Sequence, residues 1–319
     1  MCMRKERMLF FVILFALIAI PGMVMTPKFM VKNHLSNGKN GVYAKLDTEP
    51  ENSLDIIVAG DSESYTTVSP MQLWQEQGYR TYVTGQPAAK LSDAESVIGY
   101  ALRKQKPKVV LLETNTLFRQ DVKQTDSGDK LAECLYRCFP LLKEHNAWKS
   151  PFIELKGTSY KGYVISSKVK PYTGGTYMKE TKKSAEIDAA NRVTLREIKK
   201  LCEAHGAQLV LYSAPSPHNY NYKKHNALVD LAKEERLPYL DLNTKVKELQ
   251  IDWSHDTRDK GDHLNCYGAK KTTTYLGKYL KTHYSISDKR GDEQSEEWNE
   301  LLSRYNKNLQ KADGKARRV

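Results

Sequence analysis

The sequence predicts an α/β protein with a parallel central sheet covered by helices on both faces. Three observations carry this. Short apolar, β-branched runs recur along the chain, as fully buried parallel strands require. Helical periodicity fills the intervals between them. The first run, Leu54-Asp55-Ile56-Ile57-Val58-Ala59, ends abruptly in Gly60-Asp61-Ser62. In such sheets ligands meet the loops at the carboxyl ends of strands. Ser62 would stand exposed at the start of a helix, where a serine becomes a nucleophile if a base reaches it.

The chain has 319 residues, 40% hydrophobic and 28% charged, enough for a folded core. The formal net charge of +12 reads first as a solvated basic surface, and also suits an acidic membrane surface or an anionic polymer. The basic residues show no aromatic-interleaved stripe, so nucleic acid is not expected. The five cysteines form no CxxC pair and no metal spacing. Cys134 and Cys138, four apart, would share one face if that segment is helical, and read as a buried thiol pair, with a disulfide or metal site as the alternative.

In order, Arg4, Lys5 and Arg7 precede an apolar stretch from Met8 to Met25. That is just long enough to cross a bilayer, and the positive flank predicts an inside N-terminus with everything after it outside. Bulky Met23, Val24 and Met25 argue against signal-peptide cleavage. Residues 1–26 thus read as a transmembrane signal-anchor helix and 27–53, rich in Lys and Asn, as a stalk. A domain over 54–283 follows, and 284–319 reads as a charged tail with Trp298, Leu301, Leu302 and Tyr305 on one face of a terminal helix.

Within the domain, strands are expected at 54–60, 80–84, 108–112, 208–213 and 239–242. Helices are expected from Ser69 to Gln77 with Gly78 as a stop, from a Ser92 cap to about Gln105, near 184–205, near 222–235, and after Gly268 to about Thr282. Between about 121 and 180 the pattern weakens, which reads as an insertion or lid.

A base for Ser62 should be a histidine in a loop that returns to the sheet edge. Of eight histidines, His263 stands out, in Asp259-Lys260-Gly261-Asp262-His263-Leu264-Asn265 just before the final helix. A nearby carboxylate could hold Nδ1 and leave Nε2 to receive the serine proton. Asp259 and Asp262 both qualify; the longer backbone between Asp259 and His263 favours Asp259.

Gly-Asp-Ser after an early strand, with Asp259-x-x-x-His263-Leu264-Asn265-x-x-Gly268-Ala269 before the last helix, resembles the SGNH (GDSL-like) hydrolase superfamily over about 54–282. The look is nearest its membrane-anchored extracytoplasmic branch, which includes the teichoic-acid D-alanyl transfer protein and partners of membrane-bound O-acyltransferases. Ala214-Pro215-Ser216-Pro217-His218-Asn219 and Tyr239-Leu240-Asp241-Leu242-Asn243 fit that look.

The resemblance implies a three-layer α/β/α sandwich and an extracytoplasmic serine esterase or acyltransferase. Its substrate would be an acetyl or D-alanyl ester on an envelope polysaccharide or teichoic acid, with no cofactor or metal. It implies Ser62 as nucleophile, His263 as base, and an oxyanion hole from the Ser62 and Gly85 N–H groups and the Asn115 amide. Two departures stand out. The third block reads Glu113-Thr114-Asn115-Thr116 instead of Gly-x-Asn-Asp, and Lys260 occupies the usual acid position. They leave a second expectation, an inactive binding or assembly subunit of a polymer-modifying complex.

Overall fold

The computed structural model describes residues 7–17, 42, 45–46, 48–119 and 159–316. Residues 1–49 with 122–156 form one compact unit, and 50–121 with 157–319 form a second. In the first unit, residues 7–17 are helical, with exposed apolar side chains such as Phe10, Phe11 and Leu17. Among the described residues no helix is long and apolar enough to cross a membrane. The rest of the expected anchor, and Cys134, Cys138, His145 and Trp148, lie outside the described residues.

The second unit is built on five strands: β1 Ile56–Ala59, β2 Thr81–Val83, β3 Val109–Glu113, β4 Gln208–Ser213 and β5 Tyr239–Asp241. All pair in parallel, in the order β2-β1-β3-β4-β5. The helices are α1 Ser62–Thr67, α2 Pro70–Gln77, α3 Leu91–Leu102, α4 Ala189–Ala204, α5 Tyr222–Glu235, α6 Cys266–His283 and α7 Ser295–Ala316. A 3₁₀ turn, Thr114–Phe118, follows β3.

Side-chain alternation assigns the two faces of the sheet. Ile56, Val58, Val109, Leu111, Val210 and Tyr212 share one buried cluster with Leu73 of α2 and with Leu276 and Leu280 of α6. Helices α3 and α4 pack on one another, α3 against β1 and α4 against β4. Both faces are therefore covered, which is why β1 and β3 are apolar at nearly every position.

Several boundaries differ from the sequence reading. Ser92 does not cap α3; the helix begins at Leu91 and its cap position is Lys90, where the Asp93 carboxylate accepts the Lys90 N–H. Helix α6 begins before Gly268, because the Asn265 side chain accepts the Tyr267 and Gly268 N–H groups and so satisfies the first turn. The span read as a charged tail contains α7, and it is packed. Trp298 and Tyr305 are buried, the Trp298 ring lies 5.4 Å from that of Trp74, and Tyr305 Oη is 3.1 Å from Ser69 Oγ. Its many charges lie on the exposed face of an amphipathic helix, and the expected apolar stripe supplies Trp298 and Tyr305 to the buried face.

Order along the sheet fixes where a site can form. The chain leaves β1 for β2 on one side and returns to place β3 on the other. A topological switch point therefore lies at the carboxyl ends of β1 and β3. Ser62 follows β1, and Asn115 follows β3.

Candidate active site

Gly60 makes the turn out of β1. Its φ is +148°, and a Cβ there would stand 2.6 Å from the Glu113 Cβ on β3, so only glycine fits between the strands. Asp61 then caps α1, its Oδ1 accepting the Glu63 N–H at 2.9 Å. That cap sets Ser62 as the first residue of the helix, half-buried at the rim.

The opposing loop runs from Asp256 to Leu264. A bridge between Thr257 and Leu264 closes it, and Thr257 Oγ1 both accepts the Gly261 N–H and donates to the His263 carbonyl. The segment after the undescribed stretch straps it from outside. Lys170 and Tyr172 N–H groups donate to the Thr257 and Trp253 carbonyls, and the Cys266 N–H donates to the Ser166 carbonyl. Residues 159–187 thus include a brace for this loop.

The two ends of the chain meet here. His263 Nε2 lies 2.7 Å from Ser62 Oγ. His263 Nδ1 lies 2.7 Å from Asp259 Oδ2, and Asp259 Oδ1 accepts the His263 backbone N–H at 2.6 Å. Asp259 therefore grips ring and backbone of one residue together. Asp262 Oδ2 is 3.4 Å from the same Nδ1, beyond charge-assisted hydrogen-bond length. Its other oxygen accepts from Asn219 Nδ2 at 2.6 Å. Burial pushes the Asp259 carboxyl up, but hydrogen bonds from the His263 ring and backbone, with Arg258 nearby, outweigh it and hold the group below its ordinary value.

Gly85 lies against the first turn of α1. A Cβ there would be 2.0 Å from Ser64 Oγ and 2.8 Å from the Asp61 carbonyl. Asn115 is placed by three bonds: its N–H donates to Glu113 Oε2, its Nδ2 donates to Asp61 Oδ2 at 2.9 Å, and its Oδ1 accepts from Lys224 Nζ at 3.1 Å. One of its two amide hydrogens is therefore engaged by Asp61.

Sequence reasoning missed the charged groups beneath Ser62. Asp61 is fully buried and also accepts from Arg119 Nε and Nη2, at 2.9 and 2.7 Å. Glu63 and Glu113 are buried as well, and burial pushes both carboxyls well above their ordinary value, with neighbouring carboxyls adding to it. Glu63 Oε1 accepts from Asn219 Nδ2 at 2.6 Å, while its Oε2 has no hydrogen-bond partner among the described residues. Burial lowers Lys224, whose Nζ also lies 4.7 Å from the Phe118 ring centroid. Adjacency to Ser62 was the one signal for Glu63, and Asn219 stood out only as part of the Ala214–Asn219 motif; Arg119 and Lys224 carried none of their own.

Other histidines have carboxylate partners too. His225 Nδ1 is 2.7 Å from Asp241 and His255 Nδ1 is 3.0 Å from Asp256. Only His263, among the described residues, joins a carboxylate to a serine hydroxyl. His218 is exposed and touches this region through its N–H on the Gly261 carbonyl. Glu63, Asp262 and His263 could together offer atoms to a metal ion. The Asn219 amide already lies between the two carboxylates, in the position a cation would take.

No protein-family model matches the chain, and no curated protein matches it. Solved structures do show similarity. A GDSL-like lipase from Bacteroides thetaiotaomicron is 9% identical over 77% of this chain and 98% of its own, with a TM-score of 0.42. A G-D-S-L family protein from Desulfitobacterium hafniense is 14% identical over 71% of this chain and 99% of its own, at 0.41. TesA is 13% identical over 71% and 98%, at 0.39. Likeness this distant carries no argument; the site geometry has to carry the function.

Proposed function

We propose that the chain is a serine hydrolase or acyltransferase of the SGNH type, working through an acyl-serine intermediate. The observation that supports this reading is the continuous line Ser62 Oγ, His263 Nε2, His263 Nδ1, Asp259 Oδ2, with 2.7 Å at each hydrogen bond. Ser62 attacks an acyl carbonyl while His263 takes its proton. Asp259 holds the tautomer and stabilises the imidazolium that forms. The Ser62 and Gly85 N–H groups, and the second amide hydrogen of Asn115, receive the oxyanion. His263 then protonates the leaving oxygen, and water or a sugar hydroxyl releases the acyl group from Ser62. No step calls for a cofactor.

The substrate we propose is an acetyl or D-alanyl ester of an envelope polysaccharide or teichoic acid. Its support is the family resemblance of the motifs and the basic character of the chain. An extracytoplasmic position rests on the apolar stretch after Arg7, and a membrane-bound O-acyltransferase is the expected partner.

Labelling the full chain with a serine-directed fluorophosphonate, beside Ser62→Ala, tests the chemistry. Labelling that disappears in the variant is the expected result. The displaced acid and the Asp61 bond on Asn115 favour a second reading, a catalytically silent assembly subunit. That reading requires no labelling and full in-cell function of Ser62→Ala.

A further inference from the structure

Helix α6 carries a pattern that the catalytic reading does not use. Tyr267, Lys270, Lys271, Thr274, Tyr275 and Lys278 follow one another at i, i+3, i+4, i+7, i+8 and i+11. They form one stripe along about three turns of helix. The sequence, read along the chain, shows no aromatic-basic interleaving; winding into a helix brings it together. The same six residues line one side of a groove of about 570 Å³, whose other side is Glu248, Leu249 and Gln250, with His255 and Asp256 at one end.

Charge within the groove is not self-cancelling. Lys271 Nζ is fixed at 2.6 Å on the buried Asp256 carboxylate and at 2.7 Å on the Gln250 carbonyl. Glu248 pairs with Lys245 at 3.2 Å. Lys270 and Lys278 are exposed and have no anionic partner among the described residues. Tyr267 stacks near the His255 ring, centroids 4.4 Å apart, and Tyr275 is half-buried. A tyrosine and a lysine therefore recur after eight residues, about 12 Å along the axis. Hydroxyl-edged rings beside lone ammonium groups suit a chain of sugar rings that bears a charge at intervals.

We infer that this groove binds an anionic glycan chain, holding it beside the loop that carries His263. The choice of a glycan rests on the proposed envelope-polymer substrate. The charge and spacing stand without it. Two tyrosines set about 12 Å apart along the helix axis are spaced more widely than successive stacked bases of a nucleic acid strand. The groove shares no residue with the Ser62–His263–Asp259 line, and its near end adjoins it through Asp256 and Tyr267. A polymer lying in it would keep many acyl groups near Ser62 between turnovers.

The test uses the full chain carrying Ser62→Ala, so that binding is read without turnover. The probe is polygalacturonate, with neutral dextran and an oligothymidylate beside it, followed by fluorescence anisotropy at low salt. Lys270→Gln with Lys278→Gln should weaken polygalacturonate binding about tenfold. The difference should vanish near 0.5 M salt. Lys106→Gln with Lys200→Gln, the same charge change on exposed sites elsewhere, should weaken it less than twofold. In the Ser62 background, the Lys270/Lys278 double variant should label with fluorophosphonate at the native rate. Equal loss in the two double variants overturns the inference, as does absence of binding or equal binding of dextran. Tighter, equally lysine-dependent binding of the oligothymidylate replaces the glycan with nucleic acid and also overturns it. With Lys270 and Lys278 both present, no polygalacturonate binding by the Ser62→Ala chain beside normal labelling of the Ser62 chain removes this inference alone; binding without labelling removes the catalytic reading alone.

Discussion

Two carboxylates stand near Nδ1 of His263, and replacing each in turn tests which one serves it. Asp259 makes two short bonds to one residue, 2.7 Å to the ring and 2.6 Å to the backbone N–H. Asp262 stands 3.4 Å from the ring and is tied to Asn219. In Asp259→Asn the shape survives, but the amide can present a donor where Nδ1–H needs an acceptor, and the anion that stabilises the imidazolium is gone. A loss of about 10³–10⁴ in kcat follows for such a change, or about 4–5 kcal/mol of transition-state stabilisation. Asp262→Asn keeps an oxygen for Asn219 and should cost less than about tenfold. The assay is steady-state hydrolysis of p-nitrophenyl acetate by the full chain. The pH dependence of stability gives a second readout. The folded Asp259 value lies below its unfolded one, so its contribution is present above about pH 4 and disappears as pH falls through the folded value. Asp259→Asn should therefore lower urea stability at pH 7, and the difference should shrink as pH falls below about 4. If Asp262→Asn is the more damaging change, or both are mild, the assignment of Asp259 is wrong.

Glu63→Gln should stabilise the protein in urea unfolding more at pH 8 than at pH 4. The buried carboxyl has its folded value raised, so the folded state keeps a proton the unfolded state releases, and native stability falls as pH rises through that window. Gly85→Ala should lower esterase activity at least tenfold and cost about 1–3 kcal/mol, because its Cβ would collide with Ser64 Oγ and the Asp61 carbonyl in the turn that carries Ser62. Arg119→Met should cost about 2–4 kcal/mol by thermal unfolding, since it strips Asp61 of two donors where no water reaches the carboxylate.

Local patterns made much of this protein legible. A strand buried on both faces must be apolar at consecutive positions, so β1, β3 and β4 announce themselves. A sharp turn needs Gly60, and a first helical turn needs an acceptor such as Asp61 or Asn265. Serine at the end of an early strand and histidine before the last helix follow from chemistry that needs those residue types. The failures arose where one segment's character depends on another. The apolar face of helix α7 can be read from its spacing, but that it packs on Trp74 and Ser69 shows only in the fold.

What the chain alone determined is the set of local propensities: strands, caps, turns, and a serine and a histidine with carboxylates nearby. Only the folded structure decided the order β2-β1-β3-β4-β5, the 2.7 Å and 3.4 Å distances of Asp259 and Asp262 from His263 Nδ1, and the burial of Asp61, Glu63 and Glu113 under Ser62. Hydrogen bonds and desolvation depend on distances of a few ångströms between segments far apart in sequence. Those distances exist only once the sheet has set its strands side by side.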